Sequence, residues 1–178
     1  MDDFEAEIST IRDRALLWMA DGAITPTYGA QPATVTAFLN DVLATEVVCW
    51  LRYRQHAMVA SGLGSAEIAT EFAEHADREF LHALRVAERI GQLGGVPDLD
   101  PSSLADRSKT AYRTYAPTDL EGMLKENLLA ERIVIQLYQL AIRSLGSADP
   151  GTRRVLEELL VDEEGHADDL RRLLGDAV

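Results

Sequence analysis

The sequence predicts an all-α chain: an antiparallel four-helix bundle with one long crossover between its second and third helices, preceded by a short helix. Three observations carry this. The six prolines, Pro26, Pro32, Pro97, Pro101, Pro117 and Pro150, leave four long proline-free stretches. A proline inside a helix costs about 3 kcal/mol, so these residues mark helix boundaries. The stretches between them have the apolar spacing of helices with one face on a core, and nowhere does the chain show the strict alternation of a strand.

The elements follow in order. Phe4 to Met19 is amphipathic and predicts a short helix, joined through the Gly22–Gln31 turn region; residues 1–31 form an N-terminal extension and 32–178 the bundle domain. The first bundle helix runs from Pro32 to Ser61 and stops at Ser61-Gly62-Leu63-Gly64. The second starts at Ser65, read as its N-cap, and stops at Leu93-Gly94-Gly95. The third opens with Thr118-Asp119-Leu120-Glu121, read as a capping box in which the Thr hydroxyl and the Glu carboxylate satisfy free amide groups; it ends near Leu145-Gly146. The fourth opens with Asp149-Pro150, an N-cap followed by proline at the first helical position, and ends near Gly175. At 1.5 Å per residue each helix is roughly 35–45 Å long. The first and third links are short, so the helices they join are antiparallel neighbours. The middle link, Gly94 to Pro117, is long and has room for a short helical turn.

The length of 178 residues suits one domain with a sizeable core. Lys and Arg number 17 against 30 Asp and Glu, a net charge of −13. Such a chain repels nucleic-acid phosphate unless it carries a local basic patch, and with Met1-Asp2-Asp3 at one end and Gly175-Asp176-Ala177-Val178 at the other, no DNA binding is expected. No apolar run approaches the ~20 residues of a membrane span. The start lacks the basic and apolar regions of a secretory signal, and Cys49 alone cannot form an internal disulfide. A cytoplasmic location is the expectation.

The residues that carry chemistry are distributed over all four bundle helices. The second holds Glu79-Phe80-Leu81-His82 and the fourth Glu163-Glu164-Gly165-His166. Each is Glu-x-x-His, a spacing that sets both side chains on one helical face. A single copy arises often by chance, whereas two copies on alternate helices of one bundle are much stronger evidence. In a bundle-core dinuclear metal site the other two helices each add one inward Glu. The first offers Glu46, which interrupts the apolar run Leu43 to Val48, and the third offers Glu131. Glu126 is five residues from Glu131, about 140° round the helix, and lies off that face. Four carboxylates in one core repel each other and lose hydration worth several kcal/mol apiece; two divalent cations balance their charge. Oxygen donors with one imidazole per ion suit iron or manganese, with zinc a substitute that binds more tightly than Fe²⁺. The bland alternative, surface acids and incidental histidines, has to account for all four helices together.

At these residues the chain resembles the bacterioferritin and Dps-like members of the ferritin-like superfamily. The resemblance covers about residues 35–174 and rests on Glu46, Glu79-x-x-His82, Glu131 and Asp162-Glu163-Glu164-Gly165-His166, with Ile90-Gly91-Gln92-Leu93-Gly94-Gly95-Val96-Pro97 behind the second helix. It implies a ferritin-like bundle in which Glu46, Glu79, His82, Glu131, Glu163 and His166 ligate two iron ions per subunit, with Glu79 and Glu163 bridging. It implies a ferroxidase that oxidises Fe²⁺ with O₂ or H₂O₂ and stores ferric mineral in a hollow homo-oligomeric shell. Three departures from the family pattern qualify this. Phe80 stands where bacterioferritins have the Met that holds haem, so no haem of that kind is expected. Arg78 stands where the family often has an Asp that orients a histidine, whereas Asp162 is retained. Such partners tune metal affinity, so one half of the site is expected to bind more loosely. The chain ends soon after the fourth helix, without the extra helix of 24-subunit ferritins, so a 12-subunit shell is expected ahead of a 24-subunit one.

Neighbouring residues carry two readings each. Tyr53, seven residues after Glu46, is either a tyrosine that supplies an electron to the metals or a half-buried core residue. Cys49 reads as a small buried core residue rather than half of a redox pair. His75 reads as a polar residue at the bundle edge, or as a transient ligand for entering iron. Trp50, Phe72, Leu128 and Leu159 read as packing. Two other functions compete with storage. One is a di-metal redox enzyme on the same bundle, manganese catalase-like or peroxidase-like, although one cysteine excludes the Cys-rich domain of a rubrerythrin. The other is a non-catalytic helical interaction protein, which leaves the paired motifs unexplained.

Overall fold

The computed structural model describes residues 2–19 and 22–176. Expectations that touch Met1, Ala20, Asp21, Ala177 and Val178 lie outside those residues. Helix α1 (Asp2–Ala15) continues into a 3-10 turn, Leu16–Trp18, and the bundle follows as α2 (Pro32–Val59), α3 (Ser65–Gln92), α5 (Leu120–Leu145) and α6 (Pro150–Asp176), with the short α4 (Leu104–Arg107) in the crossover. No strand occurs among the described residues. The architecture is the four-helix bundle with one long crossover that the proline spacing predicts.

Two of the helix starts differ from expectation. The capping residue of α5 is Asp119, not Thr118: its carboxylate accepts from the Gly122 amide at 2.9 Å. The Asp carboxylate one position later takes a free amide of the same class. At α3 the residue before the helix is Gly64, at φ +78°, a left-handed turn that favours glycine; Ser65 is the first helical residue and donates to the Gly62 carbonyl at 2.8 Å. The start of α6 is as expected. Buried Asp149 accepts from the Thr152 amide at 2.8 Å, and Arg89 and Tyr28 bind its carboxylate at 2.9 and 2.6 Å.

Helix α2 packs along α3, and α5 along α6. The apolar core is divided into two layers. Leu39, Leu43, Val86, Ile90, Val134, Leu156 and Leu159 fill one end of the bundle, and Ile68, Phe72, Ala76, Met123, Leu124 and Leu170 fill the other. The positions between them hold the carboxylates and imidazoles described below. By length and composition α2 is apolar enough to cross a membrane, contrary to the expectation from apolar runs, but half of that window is buried inside the bundle. It also carries Glu46 and Arg52, both fully buried. A helix that is core on several sides reads as apolar all round.

The crossover is tied to α2 by polar groups. Asn40 accepts from the Asp98 amide at 2.8 Å and donates to the Val96 carbonyl at 3.1 Å, while Arg107 donates to the carbonyls of Asn40 and Asp98. Further along, Arg52 donates to Ala111 O and Asn127 Oδ1, both at 2.9 Å. His56 bridges the Asn127 amide and the Arg113 carbonyl.

Candidate metal centre

Each bundle helix delivers its side chains to the gap between the two apolar layers: Glu46 from α2, Glu79 and His82 from α3, Glu131 from α5, Glu163 and His166 from α6. None of the six is more than 6% exposed. His82 Nδ1 lies 3.0 Å from Glu163 Oε1, 3.4 Å from Glu46 Oε2 and 3.9 Å from Glu79 Oε2. His166 Nδ1 lies 3.2 Å from Glu163 Oε2, 3.3 Å from Glu79 Oε1 and 4.0 Å from Glu131 Oε1. Two overlapping groups result, Glu46–Glu79–His82–Glu163 and Glu79–Glu131–Glu163–His166, each with donor atoms within 4.8 Å of one another. They share Glu79 and Glu163. Oxygens Glu46 Oε2 and Glu79 Oε1 are buried without a hydrogen-bond partner, an arrangement that fits a cation better than a packed core.

The electrostatics of this cluster show the same conflict. Burial, then repulsion from neighbouring carboxylates, holds Glu79, Glu131 and Glu163 above the usual carboxylate range. Burial pushes Glu46 the same way, but bonding to His82 wins and leaves it low. Burial pulls His82 down, yet its contacts with Glu163 and Glu46 carry it up to about 11. His166 is held low, by burial in the first place. A cluster of acids this dry retains protons unless another positive charge replaces them.

Three supporting contacts complete the site. Tyr53 donates to Glu131 Oε1, and Tyr138 donates to Glu46 Oε1. Both phenols are fully buried, and burial followed by the adjoining carboxylates raises both well above the usual tyrosine value. Tyr138 is absent from the sequence expectations, although a signal for it exists. It stands seven residues after Glu131, as Tyr53 stands seven after Glu46. Asp162 Oδ2 sits 3.1 Å from His82 Nε2, so the retained Asp orients the histidine of the opposite helix. At the matching position Arg78 offers His166 no carboxylate, and His166 stacks instead on His75, with ring centroids 4.1 Å apart.

Other expectations divide. Cys49 is a buried core residue whose thiol burial pushes up to about 12. His75 is not a bundle-edge residue: it is 3% exposed and neither ring nitrogen has a hydrogen-bond partner. Its position four residues before Glu79 puts it on the inward face, and the layer of polar groups extends one turn further than expected. Glu126 is buried off the cluster, accepting from Tyr115 at 2.9 Å. Phe72 and Leu159 are core, and Trp50 lies against the half-exposed Phe80 at 5.3 Å.

A family model described as the ferritin-like domain matches residues 36–177. The chain belongs to the ferritin-like domain family. Membership supports iron storage in general terms. Two relatives named nutrient stress-induced DNA-binding protein align with it. The one from Synechococcus sp. is 30% identical over 132 residues, covering 72% of this chain and 74% of the relative. The one from Nostoc sp. is 28% identical over 143 residues, covering 80% and 78%. Among solved structures, the chain is similar to the dodecameric thioferritin, or bacterioferritin-related protein, of Bacteroides fragilis, at 31% identity and a TM-score of 0.80, covering 84% of this chain and 89% of that one. These findings correct one expectation. Exclusion of DNA as a partner conflicts with the names of two relatives aligned over most of the chain. Net charge describes the chain as a whole, whereas phosphate is met by local groups of Lys and Arg.

Proposed function

We propose that this protein is a ferroxidase and iron-storage subunit that oxidises Fe²⁺ at a dinuclear centre inside its own bundle. The observation that carries the reading is the pair of donor groups sharing Glu79 and Glu163. On it, Glu46 and His82 would hold one Fe²⁺ and Glu131 and His166 the other, with Glu79 and Glu163 common to both donor groups. Holding two ions side by side matters because O₂ accepts electrons in pairs. Each Fe²⁺ gives up one electron, and O₂ with two protons leaves as H₂O₂, or H₂O₂ with two protons leaves as two waters. Manganese or zinc suits the same donors. The apolar layers keep bulk water from the centre, Asp162 fixes the ring of His82, and Tyr53 and Tyr138 hold the terminal carboxylates in place. Tyr53 is also within reach to supply an electron. Phe80 offers haem iron no axial ligand.

The storage half of the reading takes a closed 12-subunit cytoplasmic shell as its assembly. Its support is the dodecameric state in the name of the thioferritin relative and the large apolar side chains exposed on the bundle, among them Leu81, Leu84, Leu129 and Leu140. A non-storage di-metal redox enzyme on the same bundle is the alternative, and a stable dimer by light scattering decides for it. The activity is tested by adding Fe²⁺ to metal-free protein in air. Oxidation runs faster than in buffer, and Glu79→Ala or His166→Ala slows the fast phase sharply. Wild-type rates in both variants would remove the centre from the reaction. DNA association enters as a second property on the names of the two relatives; a gel-shift at low salt with metal chelated tests it, retardation supporting it and free migration opposing it.

A further inference from the structure

We propose that Glu71, His75 and Asp169 form a third cation site, mononuclear, which takes a divalent first-row metal ion beside the paired-ion centre. It deepens the functional reading above, on which it rests for its role, but it shares no ligand with that centre. His75 Nε2 lies 3.2 Å from Glu71 Oε1 and 3.8 Å from Asp169 Oδ2, and one donor atom from each of the three falls within 4.8 Å of the others. Two ligands on one ion at metal–ligand distances near 2.1 Å stand about 3.0–3.4 Å apart; the Glu71 contact, at 3.2 Å, falls in that range, and the Asp169 contact, at 3.8 Å, lies just outside it.

The second observation is His75 itself. It is 97% buried, and neither Nδ1 nor Nε2 makes a hydrogen bond, although Nε2 is within 3.2 Å of a carboxylate oxygen. An imidazolium paired with Glu71 would turn an N–H onto that oxygen. Nε2 instead stands 3.2 and 3.8 Å from two carboxylate oxygens with a hydrogen bond to neither, a setting in which the lone pair of a neutral ring can meet an ion. A buried imidazole nitrogen without a partner is destabilising, and a metal ion on Nε2 offsets that cost for the nitrogen facing the carboxylates. The ring is fixed from both sides, stacked on His166 at 4.1 Å and edge-on to Tyr53 at 5.2 Å. Outward, the Glu71 and Asp169 side chains are 25% and 34% exposed. The site therefore reaches solvent through its carboxylates and the dinuclear centre through its imidazole. That order of groups suits an ion waiting its turn: two oxygen donors capture it from water, and one nitrogen places it a single ring-stack from His166. One imidazole with two carboxylates, and open positions for water, suits Fe²⁺, Mn²⁺ or Zn²⁺.

The test uses Zn²⁺, which is redox-inert, on the assembled protein. Zinc-edge anomalous diffraction is expected to show a peak among Glu71, His75 and Asp169 besides two at the Glu79–Glu163 cluster, and calorimetric titration to count three ions per chain. Glu71→Gln combined with Asp169→Asn, two partly exposed substitutions that spare the core, is expected to reduce the count to two and to weaken binding at the third position at least tenfold. Zinc at the Glu79–Glu163 cluster with no peak at His75, or an unchanged count in the double variant, overturns the third site and leaves the dinuclear reading standing. A peak at His75 without a pair at Glu79 and Glu163 supports the third site and overturns the dinuclear reading.

Discussion

Tyr138 on α5 donates its phenolic hydrogen to Glu46 on α2, a contact made across the bundle and not along either helix. Its counterpart runs the other way, from Tyr53 on α2 to Glu131 on α5. Each helix thus offers a Glu to the centre and, seven residues later, a Tyr that steadies the other helix's Glu. With the two Glu-x-x-His motifs on α3 and α6, the site repeats itself about an approximate two-fold relation between the α2–α3 and α5–α6 pairs.

Tyr138→Phe removes that bond and keeps the ring. A buried carboxylate oxygen left without its donor costs about 1–3 kcal/mol, so the metal-free variant is expected to unfold at lower urea concentration than wild type. Tyr53→Phe is expected to behave alike, because its geometry mirrors that of Tyr138. Urea unfolding followed by circular dichroism, at one protein concentration, checks both. Midpoints equal to wild type would mean that the two phenols do not hold the carboxylates.

The metal-free protein is expected to lose stability as pH rises from about 6 to 9. Glu79, Glu131 and Glu163 have folded values above their ordinary ones, and His82 stands at about 11. A group whose value is raised on folding contributes stability below its unfolded value, about 4.3 for Glu and 6.5 for His. That contribution is lost as pH climbs through the folded value. Saturating Zn²⁺ replaces the lost protons with metal charge and is expected to flatten the slope. Thermal unfolding across the pH range, with and without Zn²⁺, is the measurement; a melting temperature that rises toward pH 9 without metal would contradict the electrostatics described here.

Asp162→Asn tests the orientation of His82. The carboxylate holds Nε2 at 3.1 Å and leaves Nδ1 for the cluster. Removing a carboxylate that fixes a ligating histidine typically costs 10–100-fold in metal affinity. Competition against a chromophoric chelator is expected to show a loss of that size for one of the two ions at the Glu79–Glu163 cluster. The half built on His166 has Arg78 where the symmetric Asp would stand, so its ion is expected to be the weaker in the wild type as well. Equal affinities in wild type and variant would show that Asp162 has no part in binding.

Much of this was legible in the sequence because it is written in helical spacing. Prolines placed the starts of α2 and α6, and the two Glu-x-x-His motifs with Glu46 and Glu131 named residues that the fold brings together. What failed to show was whatever depends on contacts across helices. Tyr138 is an ordinary apolar-face residue until α2 is laid against α5. His75 read as an edge residue because nothing in one sequence shows that His166 stacks upon it. Arg52 and Asn127, buried where α2, α5 and the crossover meet, are polar residues whose partners, each other and the Ala111 carbonyl, come from other segments and are not written in helical spacing. The charge argument failed for a different reason: it averages over the chain, whereas contact with phosphate is local.

The most direct test of the central claim is the size of the fast phase when Fe²⁺ is loaded anaerobically onto metal-free protein and then mixed with O₂ or H₂O₂ in a stopped-flow instrument. If the cluster built on Glu79 and Glu163 oxidises iron as a pair, the fast phase grows with added Fe²⁺ until two ions per chain are oxidised and then levels off, and Glu163→Ala abolishes it. A fast phase that saturates at one ion per chain, or that survives unchanged in Glu163→Ala, would contradict the dinuclear ferroxidase reading.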